Sequence, residues 1–259
     1  MHTIKYIILF FSISLSAQAP ITSVLLSKTK LNIDALVHID NFESQYSIKN
    51  NALVVKKKSK TLNYSNLQLG NITSVNAFNP LKLNIFYKEF STVVILDNRL
   101  AEITKINFNT LQPSRDVTHI STGNDNSIWV FNQNTQQLEL FDYKTNKTRA
   151  TSSPITGDVI SLYSDYNYCW LMTNSFIYRY NYFGSLVSKF PNNGFTAIKE
   201  YNGTLYLLKQ NRLYFKEKSS DITEAIKLPE LLIKQFLVTN ETVYIYDNQF
   251  LYHYQLITN

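Results

Sequence analysis

The chain has 259 residues, of which 44% are hydrophobic and 17% are charged, and its formal net charge is +6 at pH 7. This hydrophobic content is typical of a globular protein and excludes a disordered chain. The positive charge is mild, and much of it comes from the solvated run Lys56–Lys60, which lacks the interleaved aromatic residues of a nucleic-acid-binding module. We therefore expect no nucleic-acid partner.

Residues 1–17 have the features of a secretory signal peptide. Lys5 supplies a positive charge, Tyr6–Phe11 is a short apolar run, and Ser12–Ala17 is small and weakly polar. The apolar run is too short to span a bilayer, and no later stretch is long and apolar enough to do so. We expect cleavage after Ala17 and a single domain at residues 18–259, with a buried first strand as the alternative for this segment.

After the signal peptide, Ile21–Thr29 is predicted to be a strand that precedes a β-hairpin repeated six times. The repeat is clearest in Ser127–Asp142, where Trp129 and Phe131 alternate with residues that face the other way. This alternation with period two is typical of a strand. The rising and falling strands are Tyr46–Lys49 and Leu53–Lys57, Leu83–Lys88 and Val93–Asp97, Ile128–Phe131 and Leu138–Asp142, Cys169–Thr173 and Phe176–Tyr180, Leu205–Lys209 and Leu213–Lys216, and Val243–Tyr246 and Leu251–Gln255.

The spacing of the hairpin turns is that of propeller blades. The turns fall near Asn51, Ser91, Asn134, Asn174, Asn211 and Asn248, which are 37 to 43 residues apart. Asn is favoured there because it tolerates positive φ. Each unit has room for two further strands, which would make a four-stranded antiparallel blade. The sequence therefore predicts an all-β fold, a six-bladed β-propeller.

The last unit has three predicted strands, and we expect the N-terminal strand Ile21–Thr29 to pair beside Phe250–Leu256 and close the ring. The outer strand of the fifth unit is ambiguous. Asp221–Glu224 looks like a helix capping box and is followed by an apolar stripe at helical spacing, so that residues 221–236 are either strand or short helix.

The period, the four-strand units and the divided last blade resemble the broad propeller superfamily that includes the WD40, YVTN and NHL-like proteins. The Trp-Asp dipeptide of WD40 blades and the Asp-box of sialidases are absent. The Asn-, Lys- and Ile-rich composition, the signal ending in Ser-Ala-Gln and the stretches Asn79–Leu83 and Phe86–Asp97 are similar to envelope propeller proteins of Bacteroidota. The resemblance implies an exported protein, either periplasmic or associated with the outer membrane, with secretion as the alternative.

In a propeller, the turns from rising to falling strands and the connections between blades share one face, where a rigid scaffold positions its loops. We expect a partner-binding surface on this face. Phe90, at a turn tip, would be its aromatic anchor, unless it packs back over its own blade. The candidate partner-binding residues are Lys88, Glu89, Phe90, Arg115, Asp116, Asn134 and Gln136.

No residue pattern indicates chemistry, and we expect no catalytic residue, no cofactor and no metal. His38 and His119 lie in predicted innermost strands and could bind a metal in the central channel, but hydrogen-bonded packing is the more common role. The only cysteine, Cys169, is interpreted as a buried apolar residue. The carboxylates near strand ends, which are those of Asp97, Asp142 and Asp247, are interpreted as turn caps.

The preferred hypothesis is a non-catalytic protein-interaction scaffold of the bacterial cell envelope, such as an accessory subunit of an outer-membrane or secretion assembly. Its partner would be an envelope protein, and the chain would be a monomer on its own. One alternative is a propeller enzyme acting on envelope glycans, which requires titratable groups converging from different blades. The other is a small-ligand sensor with an apolar central pocket.

Overall fold

The computed structural model describes residues 21–218, 220 and 222–257, and these residues form a six-bladed β-propeller. Every blade is a four-stranded antiparallel sheet, as the sequence predicts. The predicted signal peptide, residues 1–17, lies outside the described residues. Within the described ranges, no helix is long and apolar enough to cross a membrane.

The strands follow one another blade by blade, except that the first strand, β1 (Thr22–Lys30), belongs to blade 6. Blade 1 contains β2 (Ala35–Ile39), β3 (Gln45–Lys49), β4 (Ala52–Lys56) and β5 (Thr61–Tyr64). Blade 2 contains β6 (Ser74–Asn76), β7 (Leu83–Tyr87), β8 (Thr92–Leu96) and β9 (Glu102–Asn107). Blade 3 contains β10 (Val117–Thr122), β11 (Ser127–Asn132), β12 (Gln137–Asp142) and β13 (Lys147–Thr151).

Blade 4 contains β14 (Val159–Ser164), β15 (Tyr168–Thr173), β16 (Phe176–Asn181) and β17 (Leu186–Pro191). Blade 5 contains β18 (Ala197–Tyr201), β19 (Thr204–Lys209), β20 (Arg212–Lys216) and β21 (Glu224–Ala225). Blade 6 contains β22 (Gln235–Thr239), β23 (Thr242–Tyr246) and β24 (Phe250–Ile257), with β1 outermost. Two short 3-10 turns, Leu67–Leu69 and Lys88–Phe90, lie in the loops.

The hydrophobic core is divided among the blade interfaces, because each blade is covered on both faces by its neighbours. In β11, Ile128 and Val130 pack against blade 2, whereas Trp129 and Phe131 pack against blade 4. The period-two alternation in the sequence therefore separates two cores rather than a core and solvent. The middle strands β7 and β8 are buried at every position for the same reason.

The ring closes as predicted, with β1 antiparallel to β24 in a register that runs from Thr22 opposite Ile257 to Lys30 opposite Phe250. Ile21, just before β1, is 6% exposed and packs into the core between blades 5 and 6. The Tyr246 hydroxyl of blade 6 donates a hydrogen bond of 2.8 Å to the carbonyl of Ile33, at the entrance to blade 1. These contacts tie the two ends of the described chain together.

Three of the five predicted turn asparagines adopt the positive φ that the sequence predicts. Asn51, Asn211 and Asn248 adopt positive φ, at 58°, 59° and 84°. In blade 3, Gln136 takes the left-handed position with φ 54°, rather than Asn134, because a longer hairpin loop ends with its left-handed residue. The carboxylates predicted to cap turns do so by accepting backbone N–H groups two to four residues later, namely Asp97, Asp142 and Asp247.

The ambiguous outer segment of blade 5 is neither a full strand nor a helix in its described residues. Its pairing with β20 is limited to Glu224–Ala225 and one further bond from the Ile226 N–H to the Leu213 carbonyl. Ile226 then enters the core between blades 5 and 6, and the Lys227 N–H bonds to the carbonyl of Ile21. The apolar stripe that looked helical is therefore used for packing in an extended chain.

Candidate functional site

The connection face is the end of the propeller formed by the turns between second and third strands and by the connections between blades. The predicted anchor Phe90 lies there on the 3-10 turn Lys88–Phe90, with its side chain 44% exposed. This turn is fixed from both sides: the Lys88 N–H donates to Thr73 Oγ1 at 3.0 Å, and Asn109 Nδ2 donates to the Phe90 carbonyl at 3.2 Å. Phe90 is thus both partly exposed and firmly held.

A second apolar side chain stands on the neighbouring turn. Leu67 is 86% exposed at the start of the turn Leu67–Leu69, which ends at Gly70. Gly70 has φ 73°, and a Cβ placed on it would lie 3.5 Å from a Phe90 ring carbon, so the two turns are in contact. Asn51 fixes this loop by donating to the Gly70 carbonyl at 3.0 Å and accepting the N–H of Ile72 at 2.7 Å.

Three more of the predicted residues lie on loops of the same face. Asp116 and Asn134 are exposed and Gln136 is half-buried. The loop of Asp116 and the blade 3 turn are joined by a hydrogen bond of 2.8 Å from the Gln133 N–H to the Asp116 carbonyl. Lys88 and Glu89, on the turn that carries Phe90, are also exposed, so polar side chains lie on three loops of this face.

Arg115, in contrast, lies beneath the connection face with its side chain 7% exposed. Its Nε pairs with Glu139 Oε2 at 2.8 Å, and its Nη1 donates to the Pro113 carbonyl. Its remaining donor group, Nη2, bonds Thr148 Oγ1 at 3.0 Å. All three bonds are internal, so the visible role of Arg115 is to hold blade 3 to the preceding connection.

The opposite face contains a cavity of about 1000 Å³ that reaches from the channel mouth into the cleft between blades 4 and 5. The outer strand of blade 5, β21, is only two residues long, and residues just before it, among them Glu217, Lys218 and Thr223, line the cavity. No motif in the sequence pointed to this site. The available signal was the interruption of blade 5 by the polar segment 217–223.

Two carboxyl groups from different blades converge on this cavity. Asp165 accepts the backbone N–H groups of Asn167 and Tyr168 at 2.6 Å each. Glu200 accepts the Gly203 N–H at 2.5 Å. Burial, together with the charge of Asp165 and a hydrogen bond to it, raises the pKa of Glu200 to about 7, against the opposing effect of the Gly203 N–H. The Glu200 carboxyl is therefore partly protonated near neutral pH.

Two donor atoms on residues that line the same cavity are fully buried and have no hydrogen-bond partner in the described part of the chain. They are Trp170 Nε1 and Arg179 Nε, on residues that face each other across β15 and β16. Trp170 is 2% exposed, and the Arg179 guanidinium lies 5.1 Å from the centre of the Tyr168 ring. Arg179 could have been noticed in the sequence as the one charged residue in the strand Phe176–Asn181.

The two channel histidines lie in innermost strands, as the sequence predicts, but they are neutral at physiological pH. Burial lowers the pKa of His38 to about 4, assisted by the positive charge of Lys199. Burial and the nearby Lys88 lower the pKa of His119 to about 4 as well. Among the residues that the structure describes, no group of three or more His, Cys, Asp or Glu side chains could hold a metal ion.

No protein-family model and no curated protein matches the chain. Solved structures do match it. A virginiamycin B lyase from Staphylococcus aureus, solved with quinupristin, is 12% identical over 95% of this chain and 98% of its own, with a TM-score of 0.63. A chain of a mitotic checkpoint complex is 10% identical over 99% and 100%, with a TM-score of 0.61.

A third matching structure is an extracellular domain. The extracellular domain of a putative one-component system from B. thetaiotaomicron is 12% identical over 87% of this chain and 34% of the other, with a TM-score of 0.60. At these identities the likeness establishes the propeller fold alone. The same fold thus occurs in a lyase, in a component of a complex and in an extracellular domain.

Proposed function

We propose that this protein is a non-catalytic interaction scaffold of the bacterial cell envelope that binds another envelope protein through its connection face. An accessory role in an outer-membrane or secretion assembly fits such a scaffold. The observation that carries the proposal is the pair Phe90 and Leu67, two exposed apolar side chains on neighbouring turns. Each turn is fixed by its own hydrogen bonds to the rest of the propeller. Binding hot spots are aromatic or apolar anchors surrounded by a polar rim, and the loops of this face carry both kinds of side chain.

Rigidity strengthens this proposal. Ordering a loop on association costs free energy, so a turn that is already fixed loses less of the gross contact energy. The Phe90 turn is bonded to the connections on both sides of it. A protein partner is also supported by the propellers of similar structure that were solved within complexes, including the mitotic checkpoint complex and a BBS1–ARL6 complex.

The alternative is a propeller enzyme acting on envelope glycans, and its candidate pair is Asp165 and Glu200, two carboxyl groups from different blades that line one cavity. Export of the scaffold is supported by the signal-like residues 1–17 and by the extracellular location of one structural neighbour.

Affinity purification from gently solubilised envelopes, followed by mass spectrometry, tests the proposal. The bait is the tagged full chain, compared with Phe90→Ala and with Phe183→Ala, which removes a 68% exposed aromatic from the opposite face. We expect one stoichiometric partner with the wild type and Phe183→Ala, and a large loss with Phe90→Ala, because truncating a central anchor costs about 2 kcal/mol or more. A partner retained by Phe90→Ala but lost by Phe183→Ala would move the interface to the other face and contradict the proposal.

A further inference from the structure

Exposed apolar side chains of the loops are concentrated at the end of the propeller opposite the connection face. This end is formed by the turns between the first and second strands and between the third and fourth strands of each blade. Outside the strands, nine large apolar side chains of the described chain are exposed, and six of them lie on these turns. The six are Phe42, Leu81, Tyr166, Tyr182, Phe183 and Ile222, from blades 1, 2, 4 and 5.

Several of these side chains are grouped rather than scattered. The rings of Phe78 and Tyr166, from loops of blades 2 and 4, lie 4.7 Å apart between their centres. Both residues line the cavity of this face, and so does Phe42 of blade 1. On the outer turn of blade 4, the ring centres of Tyr182 and Phe183 are 4.0 Å apart. Single exposed apolar residues are normal on a protein surface, whereas a group of them marks an interaction site.

The exposed charges on the same turns have a small positive excess. Among the described residues of these turns, five exposed side chains are basic and three are acidic. The half-buried carboxylates of Asp40 and Asp165 accept N–H groups of their own turns. Because the excess is small, we expect the apolar tips to supply most of the affinity for whatever binds here. The basic residues are Lys58, Lys60, Arg99, Lys144 and Lys218, and the acidic residues are Glu43, Asp125 and Glu241.

We propose that this end of the propeller binds the surface of a phospholipid bilayer. The apolar tips enter the boundary between headgroups and acyl chains, and the basic side chains reach the lipid phosphates. A bilayer suits tips on separate turns, because a fluid surface needs no fixed shape to receive them, whereas a protein would have to complement loops of four blades at once. Bound in this way, the propeller directs its connection face away from the membrane. The proposal does not rest on a partner at that face.

Vesicle co-sedimentation of residues 18–259, the predicted mature chain, measures this binding directly. The vesicles consist of phosphatidylethanolamine with about one quarter phosphatidylglycerol. Two triple variants are matched, since each removes three exposed apolar side chains from one end of the propeller. The variant of the proposed membrane-binding end is Phe42→Ser, Leu81→Ser, Phe183→Ser, and the variant of the connection face is Leu67→Ser, Phe90→Ser, Leu232→Ser.

The first triple variant should lose about a hundredfold in vesicle affinity, roughly fivefold for each half-inserted side chain. The connection-face variant should bind vesicles as the wild type does, and thermal melting verifies that both variants are folded. An environment-sensitive fluorophore on Phe42→Cys or Leu67→Cys then locates the inserted end, since these sites are 81% and 86% exposed and Cys169 is buried. We expect vesicles to shift the emission to shorter wavelength at position 42 and not at position 67.

Three results would overturn the membrane-binding proposal. The first is no sedimentation of the wild type with vesicles at lipid concentrations up to about 5 mM. The second is an equal loss of vesicle affinity in the two triple variants. The third is an emission shift at position 67 without one at position 42. None of these measurements contains a protein partner, so their outcome is independent of the connection-face interaction.

Discussion

Arg115→Ala should strongly destabilise the propeller. The Arg115 and Glu139 side chains are 7% and 8% exposed, and they meet at 2.8 Å. Glu139 also accepts from Asn132 Nδ2 at 2.9 Å and from Thr148 Oγ1 at 2.8 Å. Removing the arginine leaves a buried carboxylate without its counter-charge, which costs about 3–5 kcal/mol. For a domain of this size, 3 kcal/mol lowers the Tm by about 6–12 °C.

Arg99→Ala is the matched control, since Arg99 also pairs with a carboxylate, that of Asp97 at 3.1 Å, but is 78% exposed. Exposed pairs contribute about 0–1 kcal/mol. Calorimetric or circular-dichroism melting of both variants at pH 7 measures the difference. Equal Tm values for Arg115→Ala and Arg99→Ala would refute the claim that the buried network holds blade 3 in place.

Three further predictions concern closure, accessibility and pH. Ile21→Ala should lower the free energy of unfolding by about 2–5 kcal/mol in denaturant titrations, because Ile21 is buried in the core between blades 5 and 6. Leu25 is 49% exposed on β1, so Leu25→Ala should lower it by under about 0.5 kcal/mol. Equal losses in the two variants would contradict closure of the ring through Ile21. Cys169 should resist a thiol reagent until the protein unfolds, because burial raises the pKa of its thiol; rapid labelling of the native protein would contradict this. Burial holds the pKa values of His38 and His119 at about 4, below the value of 6.5 in the unfolded chain. Between pH 7 and pH 5 the unfolded state therefore binds more protons than the folded state. The free energy of unfolding consequently falls as the pH is lowered over this range. The His38→Gln, His119→Gln double variant should lose less stability than the wild type over that range, and an equal loss would disprove the buried, neutral state.

The architecture could be predicted because its information is local and repeated. In the hairpin Ser127–Asp142, alternation sets the strands and the turn sets the register, and the structure pairs Ser127 with Asp142 and Asn132 with Gln137. The closing strand could be predicted because the last unit has only three predicted strands and an extra strand precedes the first unit. Both inferences use period two and turn chemistry, which act over a few residues.

The sites were harder to predict because they depend on partners from other blades. Arg115 looked like a surface residue of a connection, and its burial depends on Glu139, 24 residues later in the next hairpin. The cavity lining includes Thr223, from the segment that the sequence left open between strand and helix. Trp170 and Arg179 become neighbours only through the register of β15 and β16.

Photo-crosslinking in living cells tests most directly whether the connection face binds an envelope protein. A photoreactive amino acid replaces Leu67, 86% exposed on that face, and in a second strain it replaces Phe42, 81% exposed on the opposite face. We expect one discrete adduct from position 67, reduced when Phe90→Ala is added, and no matching adduct from position 42. No adduct from position 67, or the same adduct from position 42 alone, would contradict the interaction-scaffold account.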